Sequence, residues 1–523
     1  MEAAKRNEMA MVSLLEASEK SFEVQGHHHG GRSSFNLAEL NILADSLKSV
    51  SWTRLLGLFG GLTRSAFWLA LSQSGNTIIN TLGFYIASQT GDVKVQSAFG
   101  LTIFFTIVSI LSIVEPISEK IGVSCALSSG AGNYEATKAN FLRGVVMFVF
   151  YVGLIFVPII LYSEEIYKML GFEPETSLLC SQIQTKLFPM DLMRLTGSIL
   201  LTYLISQGIE TSFGLYVMAN LVCGLAISYF LGIYHEMGLN GWMIGRLWFD
   251  MASLALYLHG YFKRLPEKAR GLVSIKEVFS GIGEYFTDVL KFTVSYYSEI
   301  LGWELPAFIT TLTKDNYQIA AHTSLVNLGY LIYNFGLGFA VASRTRINFL
   351  LGKGEPTTAK NYFIMVLVGM FCVSLLLGLG VHSFKTTLAT VYASENKEVS
   401  EWFVRLLNLY GYVLPADFLL AFVFTVGRST GLSILVTFLN IGLLWVAQGW
   451  MSGYVIGRLQ GTCLEVLWIQ YFLGLLVISC LVWKTLELDW SLLYKSTQRS
   501  GSITSCQMFE LEILQPDEEV NPQ

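Results

Sequence analysis

Three acidic residues stand inside long apolar stretches. Glu299 and Glu304 lie in Ser298-Glu299-Ile300-Leu301-Gly302-Trp303-Glu304-Leu305-Pro306, and Asp417 lies in Leu414-Pro415-Ala416-Asp417-Phe418. No lysine or arginine falls within one helical turn of any of them in sequence. A carboxyl held away from water and from a fixed counter-charge is costly to keep, and it can exchange its one charge for a proton or a bound cation. Pro306 and Pro415 each remove a backbone donor beside an acid and are expected to bend the helix there. A carboxylate at a bend suits an ion site that changes geometry. The competing reading places these acids near the ends of apolar segments, in water.

Other charges in apolar stretches read differently. Arg246 and Asp250 are four apart and Asp191 and Arg194 three apart, so each pair is expected to close locally on its own helix. Glu115, Pro116, Glu119 and Lys120 interrupt an otherwise apolar run, and the sequence assigns them no role. Enzyme chemistry finds no support. Gly352-Lys353-Gly354-Glu355 is not a phosphate-binding loop, because no G-x-x-x-x-G-K-[ST] surrounds it. No metal-ligand spacing and no nucleophile–base motif occurs. The histidine triplet at 27–29, between glycines, lacks the fixed geometry of a metal site. The chain is therefore read as a non-enzyme without metal or cofactor, whose energy source is an ion gradient of H⁺ or Na⁺.

The elements that must carry these acids are set by composition. The chain has 523 residues, of which 53% are hydrophobic and only 14% charged, with a mean hydropathy of +0.51. Soluble domains carry about 25% charged residues. A deficit spread over most of the chain calls for an all-α polytopic membrane protein. About twelve spans can be marked: 65–88, 95–127, 141–162, 177–207, 212–234 and 241–262, then 286–312, 319–351, 362–384, 402–426, 431–453 and 464–483. Lys263, Arg264, Lys268, Arg270 and Lys276 crowd one loop. Arg344, Arg346, Lys353 and Lys360 crowd a second, and Lys138 and Arg143 a third. With both termini cytoplasmic, all three basic loops fall inside and the acidic stretch at 164–175 falls outside, as the positive-inside rule requires. The organisation expected is a polar cytoplasmic N-terminal region (1–62), a first six-helix bundle (63–262), a linker (263–285), a second six-helix bundle (286–484) and a cytoplasmic tail (485–523). Val273, Ile275, Val278, Phe279 and Ile282 give the linker a helical apolar face suited to the membrane surface. Cys125, Cys223, Cys372 and Cys480 lie in apolar stretches and read as small packing residues.

Two segments echo each other across the linker. Gly130-Ala131-Gly132-Asn133-Tyr134-Glu135 and Gly352-Lys353-Gly354-Glu355-Pro356-Thr357 are offset by 352 − 130 = 222 residues. Lys138/Lys360 and Phe141/Phe363 keep the same offset. Each segment ends one long apolar run and precedes another. A duplicated bundle explains this placement, and duplicated bundles are the usual build of secondary transporters. The two segments should then lie on the same side of the membrane.

These residues resemble a known family. The stretch from Gly122 to Arg143, with Gly130-Ala131-Gly132-Asn133-Tyr134-Glu135, is similar to the G-A-x-N-Y signature of the multidrug and toxin extrusion (MATE) transporters. Gly336-Leu337-Gly338-Phe339-Ala340-Val341-Ala342 through Arg346-Ile347-Asn348-Phe349-Leu350-Leu351-Gly352 resembles that family's eighth-helix run. Asp417 and Arg428, eleven apart, resemble its tenth-helix pattern, and Glu299 and Glu304 the paired acids of the seventh helix in animal members. The resemblance covers roughly residues 65–483. It implies two pseudo-symmetric six-helix bundles forming a V, and an ion-coupled antiporter that extrudes organic cations or other xenobiotic or metabolite solutes by alternating access. Glu304 and Asp417 would be the coupling and substrate-binding acids, with Glu299 a third. The implied partners are a small-molecule substrate and the lipid bilayer, without nucleic acid, for a monomer in the plasma membrane or a vacuolar or vesicular membrane. Departures exist. Prokaryotic members often carry an aspartate in the first helix, where this chain offers Asn76, Asn80 and Gly83, so coupling in the first bundle is not expected. Leu127 stands where the signature is preceded by glutamine. The alternatives are a lipid-linked substrate flippase of the wider superfamily, which would need a cationic cavity, and a non-transporting scaffold or receptor.

Overall fold

The computed structural model describes residues 52–89, 93–209, 213–392 and 397–500. The histidine triplet at 27–29, most of the polar N-terminal region and the tail beyond residue 500 lie outside the described residues. Among those described, the chain is helical throughout, without strands. Twelve long helical runs follow one another: α1 (Trp52–Gln89), α2 (Lys94–Gly130), α3 (Tyr134–Leu161), α4 (Pro174–Ser206), α5 (Gly214–Tyr234) and α6 (Leu239–His259), then α7 (Ile282–Thr310), α8 (Asn316–Gly352), α9 (Pro356–Ser383), α10 (Lys397–Ser429), α11 (Ser433–Leu459) and α12 (Cys463–Glu487). A further helix, α13 (Trp490–Ser500), follows.

Each expected span has its helix, but the ends differ. α1 begins at Trp52 rather than Ser65, α3 at Tyr134 rather than Phe141, and α11 runs on to Leu459. The reason is physical. A helix satisfies its own backbone, so it continues past the apolar stretch into the polar layer. Eight helices are long and apolar enough to cross a membrane by composition alone. The other four, α1, α4, α6 and α7, are polar for a span. In α4, α6 and α7 the cause is buried charge: Asp191, Arg246, Asp250, Asp288 and Glu299. Apolar side chains such as Val149, Leu154, Leu376 and Phe438 lie exposed on the outside, where lipid replaces water. α7 and α10 pass through Pro306 and Pro415 without a break in assignment. Cys125 is buried, whereas Cys223 and Cys372 are exposed on outer helix faces, which corrects the packing role expected for those two.

The two glycine segments build the same turn atom for atom. After α2, the amides of Ala131, Gly132 and Asn133 donate to the carbonyls of Leu127, Ser129 and Ser128. After α8, the amides of Lys353, Gly354 and Glu355 donate to Phe349, Leu351 and Leu350. Every partner keeps the 222-residue offset. Gly132 and Gly354 adopt φ of +72° and +83°, the left-handed conformation that ends a helix and that glycine takes without strain. Asn133 then caps α3 by accepting from the Ala136 amide, whereas α9 starts at Pro356, whose missing N–H is not needed at a helix start.

The turns also place the two helices against each other. A Cβ on Gly130 would lie 2.2 Å from the Phe349 carbonyl oxygen, and one on Gly352 would lie 2.0 Å from that of Leu127. These contacts exchange under the same offset, so α2 and α8 cross backbone to backbone about a local two-fold. Both basic turns therefore stand at one end of the helices. Elsewhere the first six helices pack largely on one another and the last six do likewise, while α2 reaches across to α7 and α8. The linker is pinned at the same end. Its one-turn helix Ile275–Phe279 starts with a Ser274/Glu277 capping box. It ends on Arg143 of α3, whose guanidinium donates to the carbonyls of Glu277, Val278 and Ser280.

Candidate functional site

α7 and α8 are consecutive and antiparallel, so a side chain early in α7 meets one late in α8. Tyr330 and Tyr333, three apart on one face of α8, meet the two glutamates in that order. The Tyr330 hydroxyl donates to Glu304 and the Tyr333 hydroxyl to Glu299. The glutamates are five apart, which turns them about 140° from each other around the helix. Glu304 is half-buried and bonded to its tyrosine. Glu299 is buried, and its second oxygen accepts from Arg428 Nη1 of α10 at 2.5 Å. It therefore departs from the expectation of an unpaired acid: a cation 129 residues away in sequence neutralises it.

Asp417 behaves otherwise. It is 6% exposed, and no ion pair reaches it among the described residues. Its polar neighbour is Tyr410, two turns earlier on α10. With Gly302 and Trp303 of α7, Leu444 and Gln448 of α11 and Tyr471 of α12, it lines a cavity of about 10 Å³, the room one water needs. Gln448 is fully buried there, and neither of its amide atoms finds a partner among the described residues. The Trp303 indole N–H is also unpartnered. Glu304 does not line this cavity. The structure thus sets Glu304 and Glu299 against the α8 tyrosines, and Asp417 in a separate small chamber between α7, α10, α11 and α12.

Sequence reasoning left Glu119 and Lys120 without a role, and the structure gives them partners. Glu119 of α2 accepts from Arg344 of α8 at 2.8 Å and from Arg428 at 3.0 Å. Lys120 donates to Asp288 of α7 at 2.6 Å, with its ammonium 5.6 Å from the Tyr285 ring centroid. The Arg428 guanidinium also lies over the Tyr296 ring. All five charged groups are buried. The one signal in sequence was adjacent opposite charges in an apolar run, together with arginines at 344 and 428 that had no local partner.

In the first six helices one expected local pair is kept and the other is replaced. Asp191 of α4 accepts from Arg246 of α6 at 2.6 Å, not from Arg194. Arg246 reaches Asp250 only at 3.5 Å and also donates to Asn80 of α1 at 2.9 Å. Six carboxylates are fully buried among the described residues: Glu119, Asp191, Asp250, Asp288, Glu299 and Asp417. Five of them hold an ion pair, and Asp417 alone does not.

The helices that bear these acids are also where the chain resembles known proteins. Residues 293–448, which include Glu299, Glu304, Arg344, Asp417 and Arg428, match the MatE family model. The chain is 23% identical over 338 residues to the protein of Rhizobium meliloti (strain 1021) named "Probable multidrug resistance protein NorM", covering 62% of this chain and 68% of that one. It is 24% identical over 302 residues to Multidrug and toxin extrusion protein 1 of Danio rerio, covering 57% of this chain and only half of that protein's length. Its fold matches the crystal structure of the eukaryotic MATE transporter AtDTX14 with a TM-score of 0.74 at 18% identity, over 86% of this chain and 99% of the other. The family match on the helices that bear the acids, the relatives and the shared twelve-helix fold converge: the chain is an integral, multi-pass membrane protein similar in sequence and fold to the multidrug and toxin extrusion (MATE) transporters.

Proposed function

We propose that this protein is a cation-coupled antiporter that exports organic cations or similar xenobiotic or metabolite solutes, with the proton as the coupling ion. The observation that carries the reading is the isolation of Asp417, the one buried carboxylate among the described residues without an ion pair. An acid in that position has one negative charge to offer and no fixed cation to satisfy it. Glu304, which has only a tyrosine hydroxyl, is the second member. Glu299, tied to Arg428, is assigned to holding α7 against α10 rather than to carrying the ion. A proton fits better than Na⁺ because neutralising a carboxyl needs no further ligand, whereas hard cations need a shell of oxygens. The space beside Asp417 admits about one water. Competition of a proton and a cationic solute for the same charge would then link their movements in opposite directions. No other cofactor is required. The basic turns, the linker and both termini are assigned to the cytoplasm on the charge rule, and the working unit is a monomer.

The test is transport by the purified full chain in liposomes, using a fluorescent organic cation under an imposed pH gradient or, separately, a Na⁺ gradient. Uphill accumulation driven by pH, lost in Asp417→Asn and Glu304→Gln, is the expected result. Normal uphill transport by both variants would overturn the assignment of these acids. Transport driven by Na⁺ alone would overturn the choice of ion.

A further inference from the structure

α2 grips the second set of helices on two sides at one step. Glu119 and Lys120 are adjacent, so their side chains leave the helix about 100° apart. Glu119 takes Arg344 of α8 and Arg428 of α10, and Lys120 takes Asp288 of α7. Arg428 carries the first layer on to Glu299. The first layer sets Glu119 and Glu299 against Arg344 and Arg428, and the second sets Asp288 against Lys120, with half-buried Lys291 3.7 Å away at its edge. Eleven residues further along α2, about 16 Å toward the basic turns, Gly130 meets the α8 backbone and Gly352 the α2 backbone. Glu119, Ala126 and Gly130 lie on one stripe of α2, since positions seven and eleven apart return to nearly the same face.

The composition of this seam says what it is for. An apolar seam of the same area would resist opening, because its surfaces would have to be hydrated. Buried ion pairs give up their attraction on separation but regain the hydration lost on burial. Opposite charges paired across a seam therefore suit a contact that must both close and part. We infer that Glu119, Lys120, Asp288, Arg344 and Arg428 form an ionic latch. It holds α2 to α7, α8 and α10 and keeps the end with the basic turns closed, and its pairs separate when that end opens. These are positioning residues and touch no transported solute. The inference rests on the antiport reading only in assigning the opening to a transport cycle. The latch is also built from the helices that carry the coupling acids. Arg428 and Asp417 are eleven apart on one face of α10, and Glu299 and Glu304 share α7, so any shift of these helices on ion loading reaches the latch directly.

The experiment reads opening without transport. Ala126, fully buried on the seam stripe, is replaced in an Ala126→Cys, Cys125→Ala background of the full chain in detergent. Labelling by a water-soluble maleimide is followed by mass spectrometry, with the denatured chain as the fast standard and buried Cys180 and Cys463 as reporters of unfolding. Lys120→Met and Asp288→Asn should each raise labelling at position 126 by about tenfold or more, with Cys180 and Cys463 still protected. The exchanged pair Lys120→Asp with Asp288→Lys should bring the rate back toward the parent. An unchanged rate at 126 in both single variants, or a rise shared with Cys180 and Cys463, would overturn the latch. Neither result bears on the coupling acids, because no gradient or solute is present. Conversely, normal transport by Asp417→Asn would remove the coupling assignment and leave the latch standing.

Discussion

Asp417→Asn and Asp288→Asn make the same chemical change at two buried sites, so any difference between them isolates the effect of a partner. Asp288 sits 2.6 Å from the Lys120 ammonium. At an effective dielectric of about 20, that separation corresponds to a gross attraction of about 6 kcal/mol. Removing one member leaves Lys120, 1% exposed, without its carboxylate, and cutting such a pair typically costs about 3–5 kcal/mol. Lys291, 3.7 Å from Asp288 on the same helix, loses the same carboxylate and adds a second positive charge near Lys120 rather than relieving it. Asp417 has no pair to lose. Its amide keeps the shape, removes a charge from a low-dielectric site, and should change stability by no more than about 1 kcal/mol in either direction. Unfolding entropy scales with chain length, so for this chain about 1 kcal/mol corresponds to about 1 °C. Asp288→Asn should therefore unfold about 3–5 °C lower than the parent, and Asp417→Asn within about 1 °C of it. Release of buried Cys125, Cys180 and Cys463 to a thiol-reactive dye during a thermal ramp in detergent gives both midpoints. Equal losses in the two variants would refute the claim that Asp417 is an uncompensated charge, and with it the reason for choosing it as the coupling acid.

Three further outcomes are expected. Gly352→Ala should sharply reduce the yield of monodisperse protein on size-exclusion chromatography, because its methyl would meet the Leu127 carbonyl at 2.0 Å and overpacking against backbone costs about 1–3 kcal/mol or more. Gly132→Ala, which meets open space but sits at φ +72°, should lose only about 1 kcal/mol, read as a thermal midpoint close to the parent's. Gln448→Leu removes an amide buried without partners and should leave the thermal midpoint unchanged or raised, while the pH profile of transport shifts because the wall facing Asp417 has changed. Finally, epitope tags at both termini should resist protease added outside sealed right-side-out vesicles, and digestion of either tag would overturn the proposed orientation.

Much of this molecule is legible in a single sequence because the governing terms are local. An apolar run long enough to span forms a helix wherever it sits, so eight helices are marked by hydropathy alone, while the four polar ones had to be placed between them and the ends were misplaced by several residues. The 222-residue echo was also local information. It proved to be a repeated helix-ending turn whose three hydrogen bonds need only glycine at 132 and 354. An acid inside a span is conspicuous for its cost, which is why Glu299, Glu304 and Asp417 stood out. Which of them is satisfied is a different kind of fact. Glu299 and Arg428 are 129 residues apart, Arg428 and Glu119 are 309 apart, and Lys120 and Asp288 are 168 apart. Sequence spacing favoured the pairs Asp191/Arg194 and Arg246/Asp250; packing kept the second, at 3.5 Å, and gave Asp191 to Arg246 rather than Arg194. A charge in a low-dielectric interior pairs with the nearest opposite charge in space. Which group is nearest depends on how the helices pack, and that left Asp417 as the buried acid without an ion pair among the described residues.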